Sequence, residues 1–390
     1  MEFIPYGRQW IDEEDIREVV RVLKGDFITQ GKEVERFERA LAEYCGAKYC
    51  VVFNSGTSAL VGAYFALGLT GGDNFITSPI TFVATANAGL VWGAKVRFGD
   101  VEPDTGNLSP RSVEALIDEK TKLLVPVHYA GHPVDLEAFR KIADRHNLFI
   151  VEDACHALGA RYKDAKIGGC QYSDAAVFSF HPVKHITTGE GGAVLTNDRV
   201  LYKRLLKVRN HGITKEGNEF LFPPEGQWYY EQHHLGFNFR LTDFQSALGR
   251  SQLKKLDFFV SRRREIAELY NDLFKDNPYF DLPPERDYAF HSYHLYPIRL
   301  KDPYKPLKRE IFKKLREAKL GVQVHYIPVY RQPFYRSLGF EKFSLPNAED
   351  FYQREISLPI FPAMDDKLVE EVAKRVFKVF ESIEPPAAGD

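Results

Sequence analysis

The chain has 390 residues, enough for one or two compact units. Hydrophobic residues make up 44% and charged residues 27%, and 52 Lys plus Arg face 54 Asp plus Glu for a formal net charge of −2. That balance excludes wholesale disorder and gives no bulk electrostatic reason to bind nucleic acid or a membrane surface. The four cysteines, Cys45, Cys50, Cys155 and Cys170, have no CxxC spacing and read as the reduced thiols of a cytoplasmic protein. Met1 to Pro5 lacks the basic-then-apolar pattern of a signal peptide.

In chain order, Asp12 to Lys24 predicts an amphipathic helix, capped by Asp12, with Ile16, Val19, Val20 and Leu23 on one face and Gly25 at the exit. Cys50 to Gly72 carries no charge, but Asn54 to Ser58 interrupts it, so it predicts a buried helix and not a membrane span. Seven strands are expected at Tyr49-Phe53, Asn74-Ser78, Lys95-Gly99, Lys122-His128, Leu148-Glu152, Ala175-Phe180 and Gly192-Thr196, mostly separated by helical patterns. Apolar strands alternating with helices imply an α/β fold with a mostly parallel seven-stranded sheet between helices, and ligands beyond the strands' carboxyl ends.

Residues 211–240 break this rhythm with glycines, prolines and aromatics, and predict a long ordered loop. Thr242 and Gln245 open a helix expected to run to about Phe274, with Arg262-Arg263-Arg264 on its solvated face. A strand at Tyr293-Leu300, a helix at Lys305-Ala318, a strand at Gly321-Tyr326 and a closing helix from Asp365 to Ser382 complete a smaller α+β domain, with Pro385 to Gly389 as a frayed tail. The expected division is a large domain, 1–250, and a small one, 251–390.

Three segments carry chemistry. Phe178-Ser179-Phe180-His181-Pro182-Val183-Lys184, before a Gly-rich turn, places one lysine where desolvation would lower its pKa and suit it to bond an aldehyde. Asp153 and His156 follow a buried strand, at the position from which side chains reach a ligand. Asn54-Ser55-Gly56-Thr57-Ser58 joins a strand to a helix and offers backbone N–H groups to a phosphate. Taken singly, these are a loop lysine, a turn former with an interior histidine, and a helix cap. No GxxxxGK[ST] and no strand-to-helix GxGxxG occurs, and the histidines lack metal-ligand spacing, so no metal is expected. Jointly, a phosphate cradle, an aromatic, a strand-end Asp and a later Lys are what pyridoxal 5'-phosphate (PLP) needs.

With these blocks, and with Gly236-Phe237-Asn238-Phe239-Arg240-Leu241-Thr242-Asp243, the chain resembles the DegT/DnrJ/EryC1/StrS sugar-nucleotide aminotransferases, within the fold-type-I PLP enzymes, from about Ile4 to Ile383. The resemblance implies that Lys184 bonds the cofactor, Asp153 pairs with its ring nitrogen, His156 lies near the ring hydroxyl and Phe82 stacks on the ring. It implies a phosphate held by Ser55, Gly56, Thr57 and Ser179, and by Asn238 from a neighbouring subunit, hence a homodimer. Tyr6, His325 and Tyr326 are candidates for substrate contact. His181-Pro182-Val183-Lys184, His291 to Pro297, Gly321 to Pro328 and Glu355 to Pro359 resemble the branch of that family in pseudaminic acid biosynthesis, which implies transfer of the L-glutamate amino group to a UDP-linked 4-keto-6-deoxy N-acetylamino sugar. A different nucleotide-linked sugar, a dehydratase or a non-enzymatic member of the fold stays open at this point. Dehydratases of the family carry histidine where this chain has Lys184, which favours transamination.

Overall fold

The computed structural model describes residues 2–384, so the expected tail at 385–389 lies outside the described residues. All seven expected strands form one sheet: β1 (Tyr49–Phe53), β2 (Asn74–Thr77), β3 (Lys95–Phe98), β4 (Thr121–Val125), β5 (Phe149–Asp153), β6 (Ala175–Ser179) and β7 (Gly192–Thr196). Their spatial order is β1-β7-β6-β5-β4-β2-β3, and β7 alone runs against its neighbours. Alternation along each strand feeds two cores. Cys50, Val52, Ile76, Leu124, Ile150, Ala176 and Phe178 enter one, and Val51, Phe53, Phe75, Leu123, Val125, Val151 and Val177 the other. Both faces are therefore covered, which is why these strands read as continuous apolar runs.

The flanking helices are α1 (Glu13–Leu23), α2 (Lys32–Cys45), α3 (Gly56–Ala66), α4 (Ala84–Leu90), α5 (Pro110–Glu114), α6 (Leu136–His146) and α7 (Arg199–Arg209). The predicted buried helix is α3. Ile16, Val20 and Leu23 of α1 do share a face, but it points outward, 46%, 39% and 52% exposed. Helix α1 is held instead by buried Asp15, whose carboxylate accepts from Gln252 Nε2 and Lys255 Nζ, each at 2.7 Å.

The expected long helix is two, α8 (Asp243–Leu253) and α9 (Leu256–Leu273). Helix α8 packs on α1 and α2, whereas α9 packs on the closing helix, so two cores pull the segment in different directions. The basic run on α9 is not a solvated face. Arg263 is fully buried, and its Nη1 donates to the carbonyls of Tyr293 (3.1 Å), His294 (3.3 Å) and Ile360 (3.0 Å). A third core joins Ile4 to residues of α9, of α10 (Lys308–Glu317) and of the closing helix α12 (Asp366–Glu381), around an antiparallel sheet of β8 (Phe280–Asp281), β9 (Tyr296–Leu300) and β10 (Glu355–Leu358). Helix α11 (Pro346–Arg354) leads into β10.

The strand expected over 321–326 is reduced to a bridge between Gln323 and Ser357. The N-terminal segment occupies that edge: Gly321 N–H donates to Ile4 O at 2.7 Å. The 293–300 strand begins only at Tyr296, because Tyr293 adopts a positive φ of 46° and its carbonyl is engaged by Arg263.

Candidate active site

A cavity of about 500 Å³ opens at the carboxyl ends of β5 and β6, and it is lined by residues from seven separate stretches of chain. Strand alternation divides the acidic pair that ends β5. Glu152 turns into the core, where His128 and Ser173 bond it. Asp153 turns into the cavity, nearly buried, with Oδ2 accepting from Thr85 Oγ1 at 2.6 Å and Oδ1 from the Cys155 N–H at 3.2 Å. Thr85 in turn shares a hydrogen bond of 2.8 Å with Thr81. These donors fix the direction of the carboxylate.

Beyond β6 the chain doubles back before β7, and Phe180 N–H donates to Gly191 O at 2.8 Å. Lys184 sits in that fold. Its side chain opens only onto the cavity, whose walls desolvate it and push its pKa below the usual lysine range, against weaker upward pulls from Cys155 and Asp153. No carboxylate forms an ion pair with it among the described residues. A lysine held this way is readily deprotonated, and so nucleophilic.

The third part is the start of α3. Ser55 caps it, accepting from Ser58 N at 3.0 Å, and Ala59 N–H reaches Ser55 O. The N–H groups of Gly56 and Thr57 have no partner among the described residues and face the cavity with the positive end of the helix dipole, which suits a phosphate. Gly56 is required there: a Cβ would sit 2.9 Å from Ser179 Cβ, so only glycine lets α3 approach β6 this closely. Ser179 Oγ is left free to donate, since its one contact is as acceptor from His181 N–H at 3.4 Å. The Ser55 hydroxyl, expected among the phosphate ligands, lines the cavity but accepts from Ser58 N–H as the helix cap, beside its neighbours' free backbone N–H groups.

The remaining wall comes from elsewhere in the chain. Phe82 lines the cavity and is 60% exposed, a free aromatic face. Tyr6, His325 and Tyr326 close the opposite side, with the Tyr6 and His325 rings 5.5 Å apart. His156 lies between the walls; its Nδ1 accepts from Ala130 N–H at 3.3 Å and its Nε2 meets Tyr326 Oη at 3.0 Å. Burial pushes the His156 pKa well below the ordinary value, so the ring is neutral. Asn238 alone of the expected residues stays outside. Its carbonyl accepts from Asn54 Nδ2 at 3.3 Å beside the start of α3, and it does not line the cavity of its own chain. Among the described residues no group of three or more His, Cys, Asp or Glu side chains is arranged to hold a metal ion.

The sequence pattern of the DegT/DnrJ/EryC1/StrS aminotransferase family matches residues 9–377. The chain belongs to this family. It is 41% identical over 389 residues to a UDP-4-amino-4,6-dideoxy-N-acetyl-β-L-altrosamine transaminase of Campylobacter jejuni, covering 99% of this chain and 100% of that one. The structure of Helicobacter pylori PseC, an aminotransferase involved in pseudaminic acid biosynthesis, superposes with a TM-score of 0.92 at 41% identity, over 98% of this chain and 100% of that one. A Streptococcus pneumoniae protein solved in a PLP form superposes with a TM-score of 0.89 at 28% identity, over 97% and 99% of the two chains. The protein is a PLP-dependent sugar aminotransferase.

The cavity fits that cofactor on its own chemistry. It offers one deprotonable lysine, one fixed carboxylate, two unpartnered backbone N–H groups at a helix start, a free hydroxyl and an aromatic face. Sequence reasoning missed Thr81 and Thr85, whose i, i+4 spacing was the available signal. It also missed Glu355 and Ser357 behind His325, for which a single sequence carries no signal.

Proposed function

We propose that this enzyme transfers the amino group of L-glutamate to the C4 ketone of a UDP-linked 4-keto-6-deoxy N-acetylamino sugar, in pseudaminic acid biosynthesis. The near full-length similarity to the Campylobacter transaminase and to PseC supports the substrate. The observation that carries the chemistry is the convergence of Lys184, Asp153 and the α3 start on one cavity.

PLP, when bound, supplies an aldehyde that accepts the amine and a ring that delocalises charge. Asp153, fixed by Thr85 and the Cys155 N–H, would keep the ring nitrogen protonated. Gly56, Thr57 and Ser179 would bind the phosphate, Phe82 would stack on the ring and His156 would lie near its hydroxyl. Lys184, its pKa lowered by the cavity walls, would take a proton from the donor's Cα and return one to C4 of the sugar, fixing the stereochemistry by the face it occupies. Tyr6, His325 and Tyr326 would contact the sugar.

The active unit in this reading is a homodimer in which Asn238 reaches the partner's phosphate site. Two exposed regions support a second copy: Ile16, Val20, Leu23, Phe27 and Ile28 near the N-terminus, and Phe222 and Trp228, 67% and 75% exposed, in the 211–240 segment. We place the domain division at about residue 250, where α8, packed on α1 and α2, gives way to α9, packed on the closing helix. A cytoplasmic location agrees with four free cysteines, and no described helix is long and apolar enough to cross a membrane. Assay against UDP-, GDP- and dTDP-linked 4-keto sugars with L-glutamate tests the reading. It expects preference for the UDP-linked N-acetylamino sugar, and preference for another nucleotide or sugar would overturn it.

A further inference from the structure

Behind the sugar-side wall lies a chain of polar groups that the transamination chemistry does not use. Glu355 and Ser357, both on β10 and fully buried, lie behind His325 and are bonded to it. Ser357 Oγ donates to Glu355 Oε1 at 2.5 Å, and Glu355 Oε2 accepts from the His325 N–H at 2.8 Å. Ser357 has one hydroxyl hydrogen, and above about pH 7, the value to which burial raises the Glu355 carboxyl, the ionised carboxylate takes it. The bond of 2.8 Å between Ser357 Oγ and His325 Nδ1 must then be donated by the histidine. Burial, with Lys184 adding to it, pushes the His325 pKa down to about 3, so the ring has a single proton. That proton is on Nδ1. Nε2 is left bare, without a partner among the described residues, on a ring that lines the cavity.

Tyr326 is fixed in the opposite sense. His156 Nδ1 accepts from the Ala130 N–H, so its proton is on Nε2 and is donated to Tyr326 Oη. The tyrosine's own hydrogen is thereby released, again with no acceptor among the described residues. The two rings are adjacent, centroids 4.9 Å apart and nearly perpendicular. The cavity thus presents one hydrogen-bond acceptor and one donor side by side, each set by a buried network on the far side of its ring.

We propose that this pair recognises a vicinal hydroxy ketone: Tyr326 Oη–H donates to the ketone oxygen of the sugar, and His325 Nε2 accepts from the hydroxyl on the neighbouring carbon, with Glu355 and Ser357 as positioning residues that dictate the histidine tautomer. This rests on the sugar aminotransferase reading above and extends it to the group beside the reacting carbon. A ketone without the adjacent hydroxyl leaves Nε2 desolvated and unpaired, which is how a buried polar site rejects an analogue lacking a group.

The test uses the holoenzyme at pH 8, above the value of about 7 to which burial raises the Glu355 carboxyl. Neutron diffraction of the wild type should show deuterium on His325 Nδ1 and none on Nε2. In Glu355→Gln the amide donates to Ser357, whose hydrogen then turns to Nδ1, so the deuterium should move to Nε2. Wild type should prefer a 4-keto sugar with a 3-hydroxyl over its 3-deoxy analogue by about a hundredfold in kcat/KM, and Glu355→Gln and Ser357→Ala should each lower that preference to within about fivefold. Deuterium on Nε2 in the wild type, or a preference unchanged in both variants, would overturn the proposal while leaving the aminotransferase reading intact. If the wild type aminates no nucleotide-linked 4-keto sugar, both fall together. Should either variant fail to fold, the wild-type neutron map still decides the tautomer.

Discussion

The two walls of the cavity are built in different ways. On one side, Asp153, Ser179, Lys184 and Gly56 sit at or just beyond the ends of neighbouring strands, so their positions follow from the sheet itself. On the other, Tyr6 and Tyr326 pack on a small cluster around Tyr129 and Phe351, and His325 is held by side chains about thirty residues further on, Glu355 and Ser357. The first wall is general chemistry on a rigid scaffold. The second is recognition, and it depends on tautomers and tertiary packing. Substitutions on the two sides should therefore fail in different ways.

The largest effect belongs to the first wall. Lys184→Ala removes the lysine amine that lines the cavity and should lower kcat by about 10⁴-fold, measured in steady-state assay, with melting unchanged. A loss below tenfold would mean that another group moves the proton. Away from the cavity, Arg263→Leu leaves three buried carbonyls without their donor and should lower unfolding stability by about 3 kcal/mol in urea titration. Asp153→Asn replaces the fixed charge and should lower kcat by about a hundredfold, again with folding intact.

Acid should expose the recognition side and its surroundings first. Burial pushes His132 down to about 4 and His185 and His325 down to about 3. In the unfolded chain each would titrate near 6.5, so between pH 6.5 and 4 the unfolded state binds more protons and stability falls as pH falls. Each histidine contributes about 1.4 kcal/mol per pH unit at most across that window, and His185→Gln should flatten the measured slope by one such share. The smallest effect tests how Asp153 is aimed: Thr85→Val removes its 2.6 Å donor and should lower kcat/KM about fivefold, while Thr85→Ser retains it.

How much was legible follows the same division. The sheet, α3 and the residues at its strand ends could be read because periodicity and capping are local, and because Lys184, Asp153 and Gly56 lie in short distinctive segments. The division of the 243–273 helix, the burial of Arg263 and the outward face of α1 could not. Each depends on which core a segment meets, and a solvated arginine and one donating to three carbonyls look alike in sequence. His325 was visible as a residue but not as a tautomer, since Glu355 and Ser357 are set behind it only by the folding of β10 beside residue 323.

The central claim is a covalent one, and borohydride tests it directly. Reduction of the cofactor-replete enzyme followed by peptide mapping should place a pyridoxyl group on Lys184. A pyridoxyl group on another lysine, or none at all in fully loaded protein, would contradict the account.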